Sequence, residues 1–318
     1  MKVAVIGRGF GANVMAPAYR GLGCEVEVVP SRDEAAIARA CAGADLVSIH
    51  SPPFQHREHV LAALAAGRDV LCDKPFGRNG AEARELRDAA KAAGVLHFLN
   101  FEFRAQPAWA KAQQLVASGA IGALTHISWT SFGNGMRGRP HGWLYDTDLA
   151  GGWIGAYGSH AIDAVRFFFG REIAGCGGLA RTEIAFRPDG DGQQVRSTAE
   201  DSFSCWLTIE GGGTASIDTS YAAAVNIPAA TVLFGSEAAI SIDSDTRLRI
   251  LRPKGEPEAL DLSAETRGMT FAAVPLWLEK VVAAIGARQQ IAPNFDDGVA
   301  AADVMDKLKL AVSHPAAA

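Results

Sequence analysis

The chain has few cysteines, and the five that it has are scattered. They lie at positions 24, 41, 72, 176 and 205, so no two of them form the C-x-x-C pair of a metal knuckle. An odd number of widely spaced cysteines also argues against a disulfide framework. We therefore expect no structural zinc, no other metal site and no disulfides, and we expect a reducing compartment, most simply the cytoplasm.

Long apolar runs and an excess of positive charge are also missing. No uninterrupted apolar stretch approaches the roughly 20 residues that a membrane helix needs. The apolar run Val3–Ile6 near the N-terminus is too short for the core of a signal peptide. Lys and Arg number 30 against 35 Asp and Glu, a net charge of −5, which argues against a nucleic-acid surface. We expect neither membrane nor nucleic acid as a partner.

The residues that are present suit a large globular protein. Hydrophobic residues make up 48% of the 318 positions and charged residues 20%, which is not the composition of a disordered chain. At roughly 150 residues per domain, this length predicts about two domains.

A glycine-rich turn follows the first predicted strand. The short apolar run Val3–Ile6 is typical of a strand buried on both faces of a parallel sheet. After it, Gly7, Gly9 and Ala12 match the pattern G-x-G-x-x-G/A, in which the residues allow, in order, a tight turn, close approach to a pyrophosphate and close helix packing. A plain tight turn is the alternative. The predicted cofactor-binding residues of this turn are Gly7, Arg8, Gly9, Phe10, Gly11 and Ala12.

The end of the second predicted strand, Glu25–Val29, indicates which dinucleotide binds. An NAD enzyme usually has an acidic residue here that holds the ribose 2′-hydroxyl. This chain has Ser31 and Arg32, and a hydroxyl with a guanidinium suits a 2′-phosphate better. The alternative is that Asp33 reaches the ribose while Arg32 is solvated. The pattern favours NADP(H) over NAD(H).

Strands and helices alternate through the rest of the first third. Strands are predicted at 44–50, 69–72 and 96–100 and helices at 58–66 and 81–93, an alternation typical of an α/β doubly wound parallel sheet. Ligands of such sheets bind beyond the carboxyl ends of the strands. The polar residues after these strands are therefore further cofactor-binding candidates: Ser51, Pro52, His56, Asp73, Lys74 and Asn100.

Several of these motifs, in this order, resemble the Gfo/Idh/MocA family of dehydrogenases. The resemblance is carried by the glycine turn, by Ser51 and Pro52 with His56, and above all by the tripeptide Asp73-Lys74-Pro75. The family's usual tripeptide is Glu-Lys-Pro, so the aspartate is a conservative departure. Arg104 with Pro107, and the segment 118–122, also resemble the family pattern.

After Gly122 the pattern changes to short strands joined by glycine turns. Strands are predicted at 124–132, 178–186, 203–209, 214–221, 231–234, 239–242 and 247–252, with one strong helix at 156–169. This indicates an α+β domain with a largely antiparallel open sheet. We predict a dinucleotide-binding domain at 1–122 and a substrate-binding and oligomerisation domain at 123–318, whose last helices can pack back on the first. The resemblance implies a homodimer or homotetramer formed through the second sheet.

The resemblance also implies the catalytic residues. The family carries Asp-x-x-x-His-x-x-Asp on the helix after a glycine-rich approach, and here His160 and Asp163 match while Ala156 stands in place of the first aspartate. Residues three apart lie on one helix face, and a histidine exchanges protons near neutral pH. We expect His160 and Lys74 to be catalytic, although a histidine on an apolar helix can also be a packed residue. The loss of the aspartate puts the usual pairing in doubt.

Other candidates for substrate contact are less specific. They are Asp163, Tyr157, Arg104, His141 and Trp143. The loop 133–148 either closes over a sugar or packs its aromatic side chains beneath itself or against a second subunit, and 187–201 is most simply a solvated hairpin.

The favoured function is an NAD(P)-dependent oxidoreductase that acts on a hydroxyl or carbonyl of a sugar, sugar derivative or cyclic polyol. Two alternatives stay open. One is a lyase or glycosidase that uses a tightly bound cofactor for transient oxidation, and the other is a non-catalytic nucleotide-binding sensor.

Overall fold

The computed structural model describes residues 1–269 and 271–313, and of Val312 and Ser313 only the backbone. Internal contacts divide it into two units. The first is Met1–Glu102 with Phe271–Asp303, and the second is 103–269 with 304–313. The boundary between the two units therefore lies at Phe103, whereas the sequence pattern changes from alternating strands and helices to short strands at Gly122. The last five residues of the predicted second domain, 314–318, lie outside the described residues.

The first unit contains a five-stranded sheet. Its strands are β1 (Lys2–Ile6), β2 (Glu25–Val29), β3 (Leu46–Ile49), β4 (Asp69–Cys72) and β5 (His97–Leu99). They are all parallel, in the order β2-β1-β3-β4-β5. The predicted doubly wound parallel sheet is confirmed. Its central strands are fully buried, which is why their sequences are unbroken apolar runs.

Four helices connect these strands. They are α1 (Ala16–Gly21), which continues a π-helical turn at Gly11–Met15, α2 (Glu34–Gly43), α3 (His56–Ala65) and α4 (Gly80–Ala93). Helix α2 was not predicted from the sequence. Its N-cap is Asp33, whose Oδ1 accepts a hydrogen bond of 2.9 Å from the backbone N–H of Ala36. A side-chain oxygen at this position satisfies an N–H that the helix itself leaves unpaired.

The second unit begins with α5 (Pro107–Ala117), β6 (Leu124–Phe132) and α6 (Ser159–Phe169). The strands that follow are β7 (Ile173–Arg181), β8 (Phe186–Pro188), β9 (Gln194–Arg196), β10 (Ser202–Ile209), β11 (Thr214–Ser220), β12 (Ile227–Gly235), β13 (Ala239–Ile242), β14 (Arg247–Leu251) and β15 (Glu258–Asp261). The strand predicted at 178–186 is wrong in its bounds, since the extended segment begins at Ile173 and ends at Arg181.

These strands, with a last strand β16 (Val312–Ser313), form a nine-stranded sheet and a separate hairpin of β8 and β9. The order in the large sheet is β15-β14-β13-β12-β6-β11-β10-β7-β16. Two pairs, β6 with β11 and β16 with β7, are parallel, and the others are antiparallel. The predicted largely antiparallel sheet is confirmed.

Alternate residues of the large sheet have different surroundings. One set, which includes Ile127, Trp129 and Leu207, is buried. The other set is rich in serine and threonine and leaves Leu179, Trp206 and Phe234 exposed by 52%, 53% and 41%. The alternation is that of an antiparallel sheet with one covered face.

The chain then forms α7 (Ala273–Ala287) and α8 (Phe295–Ala311). Helix α7 and the first part of α8, up to Asp303, belong to the first unit. There the ring of Phe295 lies 4.3 Å from that of Phe76 and 4.9 Å from that of His97, measured between centroids. Among the described residues, no helix has both the length and the apolar character that crossing a bilayer requires.

Candidate functional site

The glycine turn after β1 is built around Gly7. Its φ of +126° is one that side-chain-bearing residues rarely adopt, and a Cβ placed there would lie 2.6 Å from the carbonyl oxygen of His50. The Gly7 N–H donates to the carbonyl of Val29 at 3.0 Å. The turn is therefore held against the ends of both neighbouring strands, and only glycine fits it.

Gly9 has the opposite surroundings. A Cβ added to it would meet no described protein atom within 4 Å, and the three residues Arg8, Gly9 and Phe10 are exposed. Open space beside a bare backbone at the start of a helical segment is what a pyrophosphate needs in order to approach the N–H groups. The residues of this turn therefore fit a dinucleotide.

The motif predicts that Ala12 allows close packing of the helix on the strand, but in the structure Gly11 is the residue in close contact. A Cβ on Gly11 would lie 3.0 Å from Cγ1 of Val5 and 3.1 Å from Cβ of His50, whereas Ala12 is half-buried. The additional glycine of this chain therefore takes the role that the motif usually gives to its third position.

The two charged residues after β2, Arg32 and Asp33, have different surroundings. Asp33 is engaged at the N-terminus of α2, as described above. Arg32 is exposed, and no ion pair with another described residue is found for it. The carbonyl of Ser31 accepts hydrogen bonds from Gln55 Nε2 at 3.1 Å and from His59 Nε2 at 3.2 Å, which ties this segment to the start of α3.

Asp73 is the centre of a polar cluster at the ends of β3, β4 and β5. Its Oδ2 lies 3.2 Å from Nδ1 of His50. Its Oδ1 accepts from the backbone N–H of Lys74 at 3.1 Å and from Nδ2 of Asn100 at 3.2 Å. The side chain of Asn100 is fully buried, and the peptide bond between Lys74 and Pro75 is cis. The predicted residues Asp73, Lys74 and Asn100 are thus brought together.

The surroundings of Asp73 favour the carboxylate. Burial by itself would raise its pKa, but the hydrogen bond and electrostatic interaction with His50, the ammonium of Lys74 and the Asn100 amide together hold the pKa well below its ordinary value. These interactions therefore favour the ionised form of Asp73.

His56, which was predicted to bind the cofactor, lies in the interior of the first unit. The side chain is fully buried, with Nε2 2.8 Å from the carbonyl of Ser51 and Nδ1 3.1 Å from the carbonyl of Pro75. Burial lowers its pKa, which favours the neutral ring, and a neutral ring has one N–H and can donate it to only one of these two carbonyls at a time. His56 braces the loop that contains Ser51 and Pro52 against the loop that contains Lys74, and it exposes nothing to a bound molecule.

In the second unit, His160 lies in the first turn of α6 and is 4% exposed. Its ring stacks on Phe103 with 4.0 Å between centroids and 9° between the planes. Ala156 lies half-buried in the π-helical turn Ile154–Gly158 that precedes α6, and its N–H donates to Gly152. The ring plane of His160 is therefore set by packing.

Asp163 and Arg104 form an ion pair with each other. Nε of Arg104 donates to Oδ2 at 2.8 Å and Nη2 donates to Oδ1 at 2.5 Å, a two-pronged geometry in which the side chains are 3% and 13% exposed. A second guanidinium, that of Arg166, lies 3.8 Å from the same carboxylate, and Arg104 lies over the ring of Phe167 at 5.2 Å. Both residues, predicted as substrate contacts, are therefore engaged with each other in this structure.

Tyr157 lines an aromatic cavity of about 390 Å³ within the second unit. Its hydroxyl accepts from Nε1 of Trp129 at 3.2 Å, and its ring stacks on Trp153 at 4.9 Å. Burial raises the pKa of the phenol, so it stays protonated. The other residues around the cavity are Phe103, Gln106, Trp109, Trp129, Pro228, Ala229, Thr231, Ile242, Asp243, Ser244 and Asp245. Phe103 thus lies in the wall of the cavity and also against His160.

The loop that contains His141 and Trp143 packs its aromatic side chains beneath itself. Tyr145 is buried, and both His141 and Trp143 are half-buried. The fully buried guanidinium of Arg187 lies 3.8 Å from the centre of the Tyr145 ring and donates to the carbonyl of Met136 at 2.7 Å. The prediction of a solvated hairpin at 187–201 is therefore wrong at its two ends, since Arg187 anchors this loop and Glu200 and Asp201 are also buried.

Sequence reasoning also missed Glu200. This buried carboxylate accepts from the N–H of Ile154 at 2.9 Å, and its own carbonyl accepts from the N–H of Trp153. A Cβ on Gly152, whose φ is +111°, would lie 2.4 Å from Oε1 of Glu200. Gly152, which precedes α6, thus makes room for the Glu200 carboxylate from a distant part of the chain. In the sequence near α6, this glycine was the one feature that could have indicated a close approach by another group.

Comparison with known proteins places the chain in a family. A model of an oxidoreductase family with an NAD-binding Rossmann fold matches residues 24–101, and the model of the GFO/IDH/MocA C-terminal domain matches residues 109–241. The chain belongs to the GFO/IDH/MocA oxidoreductase family, as its sequence motifs predicted.

Individual relatives match over part of their length. An uncharacterized oxidoreductase of Synechocystis is 32% identical over 232 residues, 66% of this chain and 62% of the relative. The levoglucosan dehydrogenase of Pseudarthrobacter phenanthrenivorans is 32% identical over 150 residues, 45% of this chain and 37% of that enzyme. The matched regions therefore span less than two thirds of these relatives.

A solved structure shares the fold more completely. The structure of a levoglucosan dehydrogenase in complex with NADH and levoglucosan superposes on this chain with a TM-score of 0.88. The superposition covers 98% of this chain and 96% of the levoglucosan dehydrogenase chain. The sequence identity of 20% means that this likeness is evidence for the fold.

Proposed function

We propose that this protein is an NAD(P)-dependent dehydrogenase or reductase that acts on a hydroxyl or carbonyl group of a sugar, sugar derivative or cyclic polyol. The observation that carries the proposal is the pairing of open space at Gly9 with the cluster in which Asp73 holds the backbone of Lys74. The first feature fits a dinucleotide, and the second belongs to the tripeptide Asp73-Lys74-Pro75, which carries most of the family resemblance.

The cofactor would be held by the glycine turn and by the loops after β2, β3 and β4. Backbone N–H groups at the start of the helical segment Gly11–Gly21 would face its pyrophosphate, and Ser51 and Pro52 lie in a loop that His56 fixes in place. When bound, a nicotinamide cofactor supplies a carbon that accepts or donates hydride.

The chain's own residues align the substrate and move its proton. The ammonium of Lys74 would donate a hydrogen bond to the reacting oxygen and stabilise the negative charge that grows on it. The imidazole of His160, oriented by its stacking on Phe103, would take or return the proton of that hydroxyl. Asp163, which is paired with Arg104, lies on the same helix as His160.

We further propose that the aromatic cavity receives the sugar. Phe103, Trp109 and Trp129 offer flat apolar faces of the kind that stack on the C–H face of a pyranose. Asp245 and Ser244, in the β13–β14 turn, offer acceptors and a donor for hydroxyl groups. The match to levoglucosan dehydrogenase supports an anhydrosugar or aldose as the first compounds to test.

NADP(H) is the proposed cofactor in preference to NAD(H). Asp33, the residue that would hold a 2′-hydroxyl, is engaged as a helix cap, whereas Arg32 is exposed. Titration of intrinsic fluorescence should give a lower Kd for NADPH than for NADH. In Arg32→Ala the Kd for NADPH should rise by roughly 10-fold while that for NADH stays constant. A change of equal size for both cofactors would contradict this assignment.

The activity is tested with the purified chain and a panel of aldoses, anhydrosugars and inositols in the presence of NADP+ or NAD+. We expect reduced cofactor to appear with at least one substrate, and we expect the rate to fall by at least about 100-fold in Lys74→Ala. Arg78→Ala is a control from the loop that follows Pro75, since the Arg78 side chain is exposed and pairs with Glu82 on α4. Cofactor binding without turnover across the panel would favour the sensor alternative.

We propose that two copies of the chain associate through the exposed face of the large sheet. Its alternate residues present Trp206, Leu179 and Phe234, a set of large apolar side chains that a monomer rarely leaves in contact with water. The second copy would be related by a two-fold axis, which the family resemblance implies. Sedimentation should show a dimer or tetramer for the natural chain and a monomer for Trp206→Arg. A monomeric natural chain would contradict the proposal.

The cytoplasm is the proposed location. All five cysteines are free thiols, and four of them are buried. A reducing compartment suits such residues, because secreted domains usually pair their cysteines.

A further inference from the structure

A continuous row of side chains lies beneath the Asp73 cluster in the first unit. The hydroxyl of Tyr19, on α1, lies 3.1 Å from Oγ of Ser48 on β3. That oxygen lies 2.8 Å from Nε2 of His50, and Nδ1 of His50 lies 3.2 Å from Oδ2 of Asp73. Tyr19 and Ser48 are fully buried, and His50 is 7% exposed. Of these four residues, the sequence motifs indicated only Asp73.

The chemistry of the groups fixes the direction of the bond to Asp73, and an uncharged His50 ring gives the rest of the row one consistent direction. A carboxylate can only accept, so Nδ1 of His50 carries the proton that faces Asp73. In the neutral ring Nε2 is then an acceptor, which the hydroxyl of Ser48 satisfies, and the phenol of Tyr19 donates to Ser48 in turn. Burial raises the pKa of Tyr19, so the phenol keeps its proton and stays a donor. Each group has the partner that this direction requires.

Asp73 connects this row of side chains to Lys74, the residue proposed to contact the reacting oxygen. Oδ2 is held by His50, and Oδ1 accepts from the backbone N–H of Lys74 and from the amide of Asn100. A carboxylate that is held at both oxygens cannot rotate without breaking one of these bonds. The backbone of Lys74 is thus tied, through Asp73 and His50, to the buried strand β3.

We propose that Tyr19, Ser48 and His50 are positioning residues that orient Lys74 through the carboxylate of Asp73. This inference rests on the proposed function, in which the Lys74 ammonium polarises the reacting oxygen. The row itself makes no contact with substrate. It acts by limiting the directions in which the Lys74 backbone can point, and misplacement of a catalytic group by about 1 Å can cost roughly 100-fold in rate.

The first experiment needs no turnover. Hydrogen exchange of the Lys74 amide, resolved by NMR in the natural chain, reports directly on its bond to Asp73. His50→Leu should speed exchange of this amide by at least about 10-fold. His50→Asn, whose amide nitrogen can replace Nδ1, should restore protection to within about 3-fold. His97→Leu is the matched control, a buried histidine of the same sheet that stacks on Phe295.

Two results would overturn the proposal at this stage. One is a Lys74 amide in His50→Leu that is protected as in the natural chain. The other is faster exchange throughout the first unit, equal in His50→Leu and His97→Leu, because that pattern indicates a loss of stability and not a local release. Ser48→Ala, which leaves the contact between His50 and Asp73 in place, should give an effect of the same sign and smaller size.

The second experiment uses the double-mutant cycle of His50 and Lys74. We expect His50→Leu to lower kcat by at least about 10-fold with little change in the KM of the sugar or in the Kd of NADPH. In a Lys74→Ala background the same substitution should have no further effect on kcat, since the group it orients is gone. Effects that multiply fully would refute a role through Lys74. If the natural chain turns over no substrate, the proposed function fails, while the exchange experiment still decides whether the row positions Lys74.

Discussion

Gly7 and Gly9 lie two residues apart in one motif, yet the structure predicts opposite consequences for the same substitution. In Gly7→Ala the new Cβ would lie 2.6 Å from a backbone oxygen, at a φ of +126°. In Gly9→Ala the new Cβ would meet no described atom within 4 Å. The first change should therefore affect folding, and the second should affect the binding of cofactor alone.

The magnitudes follow from these surroundings. Strain at a glycine-only backbone conformation costs about 1–3 kcal/mol, and forcing a methyl group into occupied space adds about 1–3 kcal/mol. We expect Gly7→Ala to lose about 2–6 kcal/mol of a total stability of about 5–15 kcal/mol. Gly9→Ala should stay within about 1 kcal/mol of the natural chain, since an alanine in open space costs little.

Urea unfolding with and without NADPH measures both effects in one assay. At a concentration 100 times the Kd, the cofactor should stabilise the natural chain by about 2.7 kcal/mol. If Gly9→Ala weakens binding about 100-fold, the same concentration stabilises it by only about 0.4 kcal/mol. Gly43→Ala, which also has open space around it but lies at the end of α2, is the control and should keep the full 2.7 kcal/mol or so. Normal cofactor stabilisation in Gly9→Ala would refute the assignment of this turn to the pyrophosphate.

Two further predictions concern stability. Asp163→Asn should lower the free energy of unfolding by about 3–5 kcal/mol, because it removes the negative charge that pairs with the mostly buried guanidinium of Arg104. The KM of the folded enzyme for its sugar should stay unchanged. A raised KM at normal stability would instead indicate that Asp163 contacts the substrate. Stability should also fall as the pH drops from about 6.5 to about 4, since burial lowers the pKa of His59 to about 4 and the unfolded chain then binds more protons. That loss should reach at most about 3 kcal/mol, and in His59→Gln the profile measured by urea unfolding should be flatter over this range. The carboxylate of Asp73, whose pKa is held low, adds a loss of the same sign only at still lower pH.

The parallel sheet was readable from local sequence because its strands are buried on both faces. Unbroken apolar runs such as Val3–Ile6, each followed by a glycine or polar loop, leave few other structures. Helix α2 was not predicted because its alanines give no clear apolar periodicity and because its N-cap, Asp33, is also a candidate ribose ligand. The strand that begins at Ile173 was displaced in the prediction because three glycines, at 175, 177 and 178, hide its pattern.

The candidate site divides in the same way. Motif spacing predicts catalytic roles for Lys74 and His160, because neighbours in sequence carry the family pattern. It assigned Asp163 and Arg104 to the substrate, whereas 59 residues of chain separate two groups that bind each other. An ion pair of this kind has no local signature, since each partner alone resembles an available ligand.

The sequence by itself determined the class of fold, the glycine turn and the family, since each depends on residues that are close together in the chain. Only the tertiary structure decided which polar side chains are available to a ligand and which serve the protein. His56 became a brace between two loops, and His50, Ser48 and Tyr19 became the support of Asp73. The physical reason is that a buried polar group must find a partner, and the partner comes from whichever strand or helix the fold places beside it.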